Sequence, residues 1–215
     1  LFVENDIVYM KTVKGPLRVD CIYRRLDDTF LDPKAFYKGS VIGVPGLFKA
    51  WRKGNVGILN AIGTGVADDK VVYSYVNKMI VYYLGEQPIL NQVETYLCHD
   101  KIQMDYVIDN ISKLVVKPAN ASGGYGIMIG PKASSKEREE VAEKIKKNPR
   151  EYIAQPLETL STAPTITEKN IEPRHLDLRP FVLSGKTNYV TTGGLTRVAL
   201  RKGSTIVNSS QGGGS

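Results

Sequence analysis

Apolar positions recur along the chain with two different spacings, which predict a mixture of helices and strands. Intervals of three and four residues are typical of a helix with one buried face; helices are predicted at 46–53, 68–84, 101–111 and 134–147. Alternating or β-branched runs predict strands at 2–3, 7–10, 19–24, 56–59, 93–97, 114–116, 127–129, 152–155, 176–183, 189–192, 196–201 and 206–208. Because strands dominate the last third of the chain, the pattern predicts an α+β fold.

Some of these elements carry signals at their ends. The helix at 68–84 is predicted to bury its tyrosines and to end at Gly85, a residue type favoured after a helix. Ser134 and Glu137 have the spacing of a capping box, which predicts the start of the helix at 134–147. The segment 159–170 has neither spacing and is predicted to be rich in loops.

Lys117 stands at the end of an apolar run and just before a glycine-rich loop. Residues 114–116 predict a strand, and Gly123, Gly124 and Gly126 allow the backbone to turn sharply and approach a ligand. A lysine beside exposed backbone N–H groups suits a polyphosphate, although the segment lacks the Gly-Lys-Ser/Thr of a P-loop. A glycine-containing hairpin without a ligand explains the segment equally well.

The composition and the net charge of the chain indicate which kinds of ligand and partner are expected. The chain has 215 residues, 42% of them hydrophobic, and a net charge of +7, which suits an anionic ligand or simply solubility. Nucleic acid is not expected, since aromatic residues do not alternate with cations around the single Trp51. Cys21 and Cys98 lie outside any CxxC and favour a reducing cytosol. With only His99 and His175, a histidine metal cluster is not expected, and no apolar stretch has membrane-spanning length.

A second group of charged residues lies near the end of the chain. Asp177 and Arg179 are two apart, so on a strand their side chains share one face and Leu178 is predicted to point into the core. The carboxylate would orient the guanidinium toward phosphate, although a surface ion pair explains the pair more simply. Arg197, which follows a turn predicted at Gly193-Gly194, could supply a second guanidinium group for phosphate. Beyond Asp177 the sequence has five cations and no acid, which suits anions but not Mg²⁺.

With these motifs in hand, the chain resembles the ATP-grasp superfamily. It is most similar to the circularly permuted ATP-grasp proteins of bacteria, which are relatives of glutathionylspermidine synthase. Beyond the lysine–glycine segment, the resemblance rests on residues 22–28, 30–33, 43–46, 63–70, 154–156, 174–182 and 193–214. It implies an ATP-grasp-like α+β fold, with two mixed or antiparallel sheets, flanking helices and a nucleotide cleft between the sheets.

The resemblance also assigns roles toward ATP. Lys70 and Lys117 would be the two lysines that hold the phosphates, and backbone groups at Gln155 would read adenine. Asn208 would lie in a turn that related ligases share. The flap over the phosphates would contain Ser122, Gly123, Gly124 and Gly126.

The implied reaction is the ATP-dependent joining of a carboxylate to an amine through an acyl phosphate. Arg179 and Arg197, supported by Asp177, would face the transferred phosphate, and Arg24 and Arg25 would bind the small-molecule or peptide carboxylate. A non-catalytic nucleotide-binding or scaffold domain, or a phosphotransferase using the same cleft, are the alternatives.

The family's magnesium ligands, an Asp and a Glu-x-Asn pair, have no match in this sequence. ATP and Mg²⁺ are the expected cofactors, and the metal ligands are expected upstream of Leu1. We therefore expect three parts in a cytoplasmic protein: 1–69 as the remnant of an N-terminal substrate region, 70–156 as the lid subdomain, and 157–215 as the start of the large subdomain, cut short. On this interpretation residues 1–215 alone bind ATP poorly and lack ligase activity.

Overall fold

The computed structural model describes residues 1–121, 124–167, 170–205 and 207. The chain divides into two compact units, Leu1–Tyr73 and Ser74–Ser215. Each unit mixes helices with strands, and the predicted α+β fold is confirmed. The functional meaning of the three parts expected from the sequence stays a prediction.

The first unit begins with a small antiparallel sheet of β1 (Phe2–Glu4), β2 (Ile7–Thr12) and β3 (Gly15–Arg18). Between β1 and β2, Asn5 and Asp6 have φ angles of 50° and 62°, the left-handed conformation that a two-residue hairpin turn requires. The strands predicted at 2–3 and 7–10 are therefore present, and they form a hairpin. The unit also contains β4 (Cys21–Tyr23), α1 (Asp28–Leu31), α2 (Leu47–Arg52), β5 (Gly57–Leu59), a 3₁₀ helix (Thr64–Asp68) and α3 (Lys70–Tyr73), with β4 and β5 paired in parallel.

Asp32 is a buried polar centre of the first unit, with 1% of its surface exposed. Its carboxylate accepts hydrogen bonds from the backbone N–H groups of Lys34, Gly46 and Phe48 at 2.8, 3.0 and 2.9 Å. Gly46 and Phe48 lie at the start of α2, where a helix leaves N–H groups unpaired. Asp32 therefore ties the preceding loop to α2 beside a core of Val8, Leu31, Leu47, Ala50, Val56 and Ile58.

The second unit contains two antiparallel sheets, three α-helices and two 3₁₀ helices in its described part. One sheet has the strand order β6-β9-β7-β8 and the other β10-β11-β12. The elements are α4 (Val76–Leu84), β6 (Tyr96–Leu97), α5 (Lys101–Asp109), β7 (Leu114–Pro118), β8 (Met128–Ile129), α6 (Ser135–Lys147), β9 (Tyr152–Pro156), β10 (Thr162–Ile166), β11 (Ile171–Leu183) and β12 (Tyr189–Val198). The predicted capping box of Ser134 and Glu137 is present at the start of α6.

The two faces of the four-stranded sheet have different surroundings because side chains alternate along each strand. One face contributes to a core with Val107 of α5 and Ile145 of α6; its members are Leu114, Val116, Met128 and Ala154. The intervening residues lie on the other face and line a cavity; they are Val115, Lys117, Ile129 and Gln155. The helices thus anchor one face and leave the other for a site.

The single helix predicted at 68–84 is wrong. The structure has the 3₁₀ helix, α3 and α4 in its place, separated at Asp69 and at Ser74–Tyr75. Burial of the tyrosines is wrong as well, since Tyr82 and Tyr83 are 81% and 77% exposed. Helical spacing of apolar residues indicates an apolar face, but it does not say whether another element covers that face.

Three expectations near the end of the chain are also corrected. The loop-rich segment 159–170 contains β10, an edge strand in which Pro164 is tolerated. The predicted turn at Gly193-Gly194 lies inside β12, where a Cβ on Gly194 would come within 2.8 Å of the Arg179 carbonyl oxygen. Leu178 is 65% exposed and does not enter the core. Except for Val207, the strand predicted at 206–208 lies outside the described residues.

Replacing Gly130 with alanine is expected to lower the free energy of unfolding by about 3 kcal/mol. A methyl group there would overlap the carbonyl oxygen of Ile111 and lie 2.6 Å from that of Leu114, and neither backbone atom can rotate away. Gly193→Ala is the matched control, because no atom lies within 4 Å of that Cβ position. Urea denaturation compares the two variants, and equal losses would contradict the close packing at Gly130.

Replacing Asp32 with alanine is expected to cost about 3 kcal/mol of unfolding free energy, because buried N–H donors would lose their acceptor. Asp32→Asn keeps one of the two side-chain oxygens and should cost less. Thermal and urea unfolding of both variants measure the difference. A loss for Asp32→Ala no larger than that of an exposed substitution such as Asp20→Ala would show that the carboxylate does not hold the loop.

Candidate functional site

The second unit contains a cavity of about 520 Å³ between its two sheets, a volume within the range of small-molecule sites. Apolar walls come from Val93, Val115, Ile127, Ile129, Leu160 and Val207. Charged and polar side chains come from Lys117, Gln155, Glu158, Arg179, Arg197 and Thr205. A cavity with apolar walls and three cations among its lining residues suits a ligand that has a flat apolar part and an anionic part.

Lys117 is held by a side chain of the neighbouring strand. It lies on β7 opposite Ile153 of β9, and its Nζ donates a hydrogen bond of 2.6 Å to Oε1 of Gln155. Gln155 is 8% exposed, and its Nε2 donates to Oγ1 of Thr95 at 2.8 Å. The lysine therefore has a fixed neighbour at the cavity wall, set by the sheet.

Two arginines share one carboxylate on the opposite wall. Asp177 of β11 is the cross-strand partner of Arg197 on β12, and Arg197 donates to it at 2.6 Å. Arg179, two residues along β11, donates at 3.4 Å. Hydrogen bonding from Arg197 holds the pKa of Asp177 below its ordinary value, so the carboxylate is ionised at neutral pH. It orients two guanidinium groups that both line the cavity.

The structure thus brings several of the predicted residues to one cavity. Lys117, Gln155, Arg179 and Arg197 line it, as does Gly124 of the predicted flap, with a φ angle of 80°.

Gly126 lies next to Pro118, with a φ angle of 72°, and is not among the residues that line the cavity. Ser122, Gly123 and Asn208 lie outside the described residues. The predicted place of Ser122 and Gly123 in the flap over the phosphates, and that of Asn208 in a turn that related ligases share, therefore stay predictions.

Lys70 belongs to the first unit, where it begins α3. Partial burial lowers the pKa of its ammonium group below the ordinary lysine value, while the nearby Asp69 and Asp68 oppose that shift. The resemblance gives Lys70 a role toward ATP, and that role stays a prediction.

Arg24 is buried in the first unit, where other residues of that unit bind its guanidinium group. It is 8% exposed, its guanidinium donates to the carbonyl oxygens of Leu26, Asn60 and Ala61, and it forms an ion pair of 2.6 Å with Asp28. These contacts account for a buried arginine without a ligand.

Arg25 is exposed and lines a separate cavity of about 420 Å³. Three carboxylates, those of Asp27, Asp28 and Asp68, line the same cavity. The charges around Arg25 therefore do not favour binding of a carboxylate substrate, and that role of Arg25 stays a prediction.

The side chains that support the site could not be predicted from the sequence. The contact of Thr95 with Gln155 depends on the pairing of β6 with β9 across nearly sixty residues. The resemblance assigns a role to the backbone of Gln155, whereas its side chain contacts Lys117. The strand prediction at 93–97 was the one local signal that could have pointed to Thr95.

Among the described residues, no three or more His, Cys, Asp or Glu side chains are grouped to hold a metal ion. The cations of the cavity suit phosphate oxygens and do not suit Mg²⁺, which prefers carboxylates. The same cations and the apolar walls fit the phosphates and the base of ATP. In the part of the chain that is described, no helix is long and apolar enough to cross a membrane.

Comparison of the sequence with known proteins identifies a family. The description "Circularly permuted ATP-grasp type 2" belongs to a family model that matches residues 1–199. Over its whole length the chain is 56% identical to an uncharacterized protein of Synechocystis sp., of which it covers 45%. It is 54% identical to an uncharacterized protein of Mycobacterium tuberculosis, of which it covers 39%.

A more distant relative has a name that describes an activity. Over 99% of its length the chain is 49% identical to a Frankia casuarinae protein named "Putative glutamate--cysteine ligase 2-2", of which it covers 24%. The chain therefore spans less than half the length of each of these three relatives. Because the family model matches nearly the whole sequence, the chain belongs to the circularly permuted ATP-grasp type 2 family.

Proposed function

We propose that this chain is part of an ATP-dependent ligase that joins a carboxylate to an amine through an acyl phosphate. The observation that carries the proposal is the placement of Lys117, Arg179 and Arg197 around one apolar-walled cavity. The family supports an ATP-dependent reaction. The name of the Frankia casuarinae relative supports ligation of a carboxylate to an amine, although this chain covers 24% of that protein.

In this proposal the cavity contacts both the base and the phosphates of ATP. The base lies between the apolar walls, next to the end of β9, where Gln155 and the residues after it line the cavity. Lys117 contacts the α- and β-phosphates as a compact positive charge. The flap that contains Gly124 covers the phosphates from the solvent side.

The chemical step requires charge neutralisation and positioning more than a protein nucleophile. An oxygen of the substrate carboxylate attacks the γ-phosphorus, and the bond to the β-phosphate oxygen breaks to release ADP. The amine nitrogen then attacks the acyl carbon, inorganic phosphate leaves, and the amine loses a proton. Arg179 and Arg197 stabilise the negative charge on the transferred phosphoryl group in both steps.

Lys117→Ala is expected to weaken ATP binding about 30-fold, because a charge-assisted hydrogen bond to phosphate is lost. Isothermal titration calorimetry with ATP and Mg²⁺ on the natural full-length polypeptide measures this change. Lys132→Ala is the matched control, since Lys132 is exposed and does not line the cavity.

Two results would decide against parts of this proposal. Equal ATP affinities for Lys117→Ala and the unmodified protein would remove the lysine from the nucleotide site. Tight ATP binding with no phosphate release in the presence of a panel of carboxylates and amines would favour a non-catalytic nucleotide-binding domain.

The ion pairs of Asp177 predict a pH dependence of stability. Because Arg197 lowers its pKa in the folded protein below the ordinary value of 3.8, the unfolded chain binds a proton more readily in acid. The contribution of Asp177 is therefore complete above the ordinary carboxyl range and is lost as the pH falls below 3.8 through the folded pKa.

This dependence is measured as the difference in unfolding free energy between the unmodified protein and Asp177→Asn, from pH 7 to pH 2.5. We expect a constant difference near neutrality that shrinks in acid. Asp20→Asn, which removes an exposed partner of Arg18, should show almost no difference at any pH. A difference for Asp177→Asn that does not change with pH would contradict the ion-pair assignment.

A further inference from the structure

We propose that Thr95 is a positioning residue for ATP binding, which acts on Lys117 through the side-chain amide of Gln155. The inference rests on the proposed function, in which Lys117 contacts the phosphates of ATP. Thr95 is not among the residues that line the cavity, so any effect of Thr95 on ATP passes through other side chains.

The sheet brings the three side chains into one row. Thr95 comes directly before β6, whose first residue, Tyr96, is paired with Ala154 of β9. That pairing sets Thr95 beside Gln155. Lys117 lies opposite Ile153, two residues from Gln155 on the same strand face, which is within reach of a long side chain across a strand pair.

The chemistry of Lys117 and Thr95, the two ends of the row, fixes which atom donates and which accepts in each hydrogen bond. Lysine has donors only, so the atom of Gln155 that faces Nζ at 2.6 Å is the oxygen, Oε1. At the other end the Thr95 hydroxyl donates its one hydrogen to the carbonyl oxygen of Val93 at 3.0 Å. The Thr95 oxygen is then an acceptor, which the Nε2 group of Gln155 satisfies at 2.8 Å.

Burial makes this orientation consequential. Gln155 is 8% exposed, so water does not readily replace a partner that its amide loses. If the amide rotated by half a turn, its N–H donors would face the lysine ammonium and leave the lysine without that acceptor. The Thr95 hydroxyl would at the same time face the amide oxygen, and it could donate to that oxygen only by giving up its hydrogen bond to Val93. Thr95 therefore opposes the rotation that would displace Lys117.

A neutral amide also suits the task better than a carboxylate. Oε1 of Gln155 accepts a hydrogen bond from Lys117 without adding a negative charge beside the ammonium group. A glutamate at the same position would pair with the ammonium group and compete with the anionic ligand for it. Thr95 thus fixes the orientation of the Gln155 amide, and the neutral amide holds Lys117 by a hydrogen bond.

The first test replaces Thr95 with valine, which keeps the shape and removes the hydroxyl, and with serine, which keeps the hydroxyl. ATP and adenosine affinities are measured by calorimetry on the natural full-length polypeptide. Thr95→Val should weaken ATP binding about tenfold and leave adenosine binding unchanged, because adenosine has no phosphate for Lys117. Thr95→Ser should bind both ligands like the unmodified protein.

The pattern of results separates positioning from a general structural role. Equal weakening of ATP and adenosine by Thr95→Val, or no weakening of either, would overturn the inference. Lys117→Ala provides the double-mutant cycle: in its background Thr95→Val should cause no further loss of ATP affinity. A full additional loss in that background would show that Thr95 does not act through Lys117.

Gln155→Glu provides a second variant in case Thr95→Val does not fold. It should weaken ATP binding about tenfold and by a larger factor than adenosine binding. Equal weakening of the two ligands, or unchanged ATP binding, would overturn the inference. If the unmodified polypeptide binds adenosine and ATP equally or binds neither, the proposed function fails and this inference fails with it. If it binds ATP normally and the variants behave like it, the inference alone fails.

Discussion

The candidate site depends on the alternation of side chains across the sheet β6-β9-β7-β8. Each strand sends every second residue to a core formed with α5 and α6, where Val107 and Ile145 are fully buried. The alternate residues of the same strands face the cavity, and the packing of the core on the opposite face fixes their positions. A register shift of one residue would exchange Lys117 with Val116 and place a lysine against the helices, which is why the apolar core also fixes the chemistry.

Local sequence patterns are sufficient to predict the residues whose roles depend only on their neighbours in the chain. Lys117 follows an apolar run and precedes glycines, and Asp177 and Arg179 share a strand face by simple spacing. The capping box at Ser134 and the hairpin at Asn5-Asp6 follow from rules that involve neighbours in the chain. In these cases the physical cause lies within a few residues, so the sequence contains the information.

Features that depend on distant partners could not be predicted in the same way. Thr95 and Gln155 meet only because β6 pairs with β9, and Asp177 meets Arg197 through the register of β11 and β12. The exposure of Tyr82 and Tyr83 shows the same limit, because apolar spacing says nothing about a covering partner. The segment predicted to be rich in loops, 159–170, contains the edge strand β10, whose partners in β11 lie beyond that segment.

The contact between Lys117 and Gln155 has a consequence for the thermodynamics of nucleotide binding. A free lysine side chain has many rotamers, and ordering it against a ligand opposes association by about 0.5–1.5 kcal/mol. Here the side chain is already ordered against a strand neighbour when the chain folds, so much of that entropy is lost during folding and not during binding. The unbound protein is in this respect preorganised, and a nucleotide would meet a cation whose conformational freedom is already restricted.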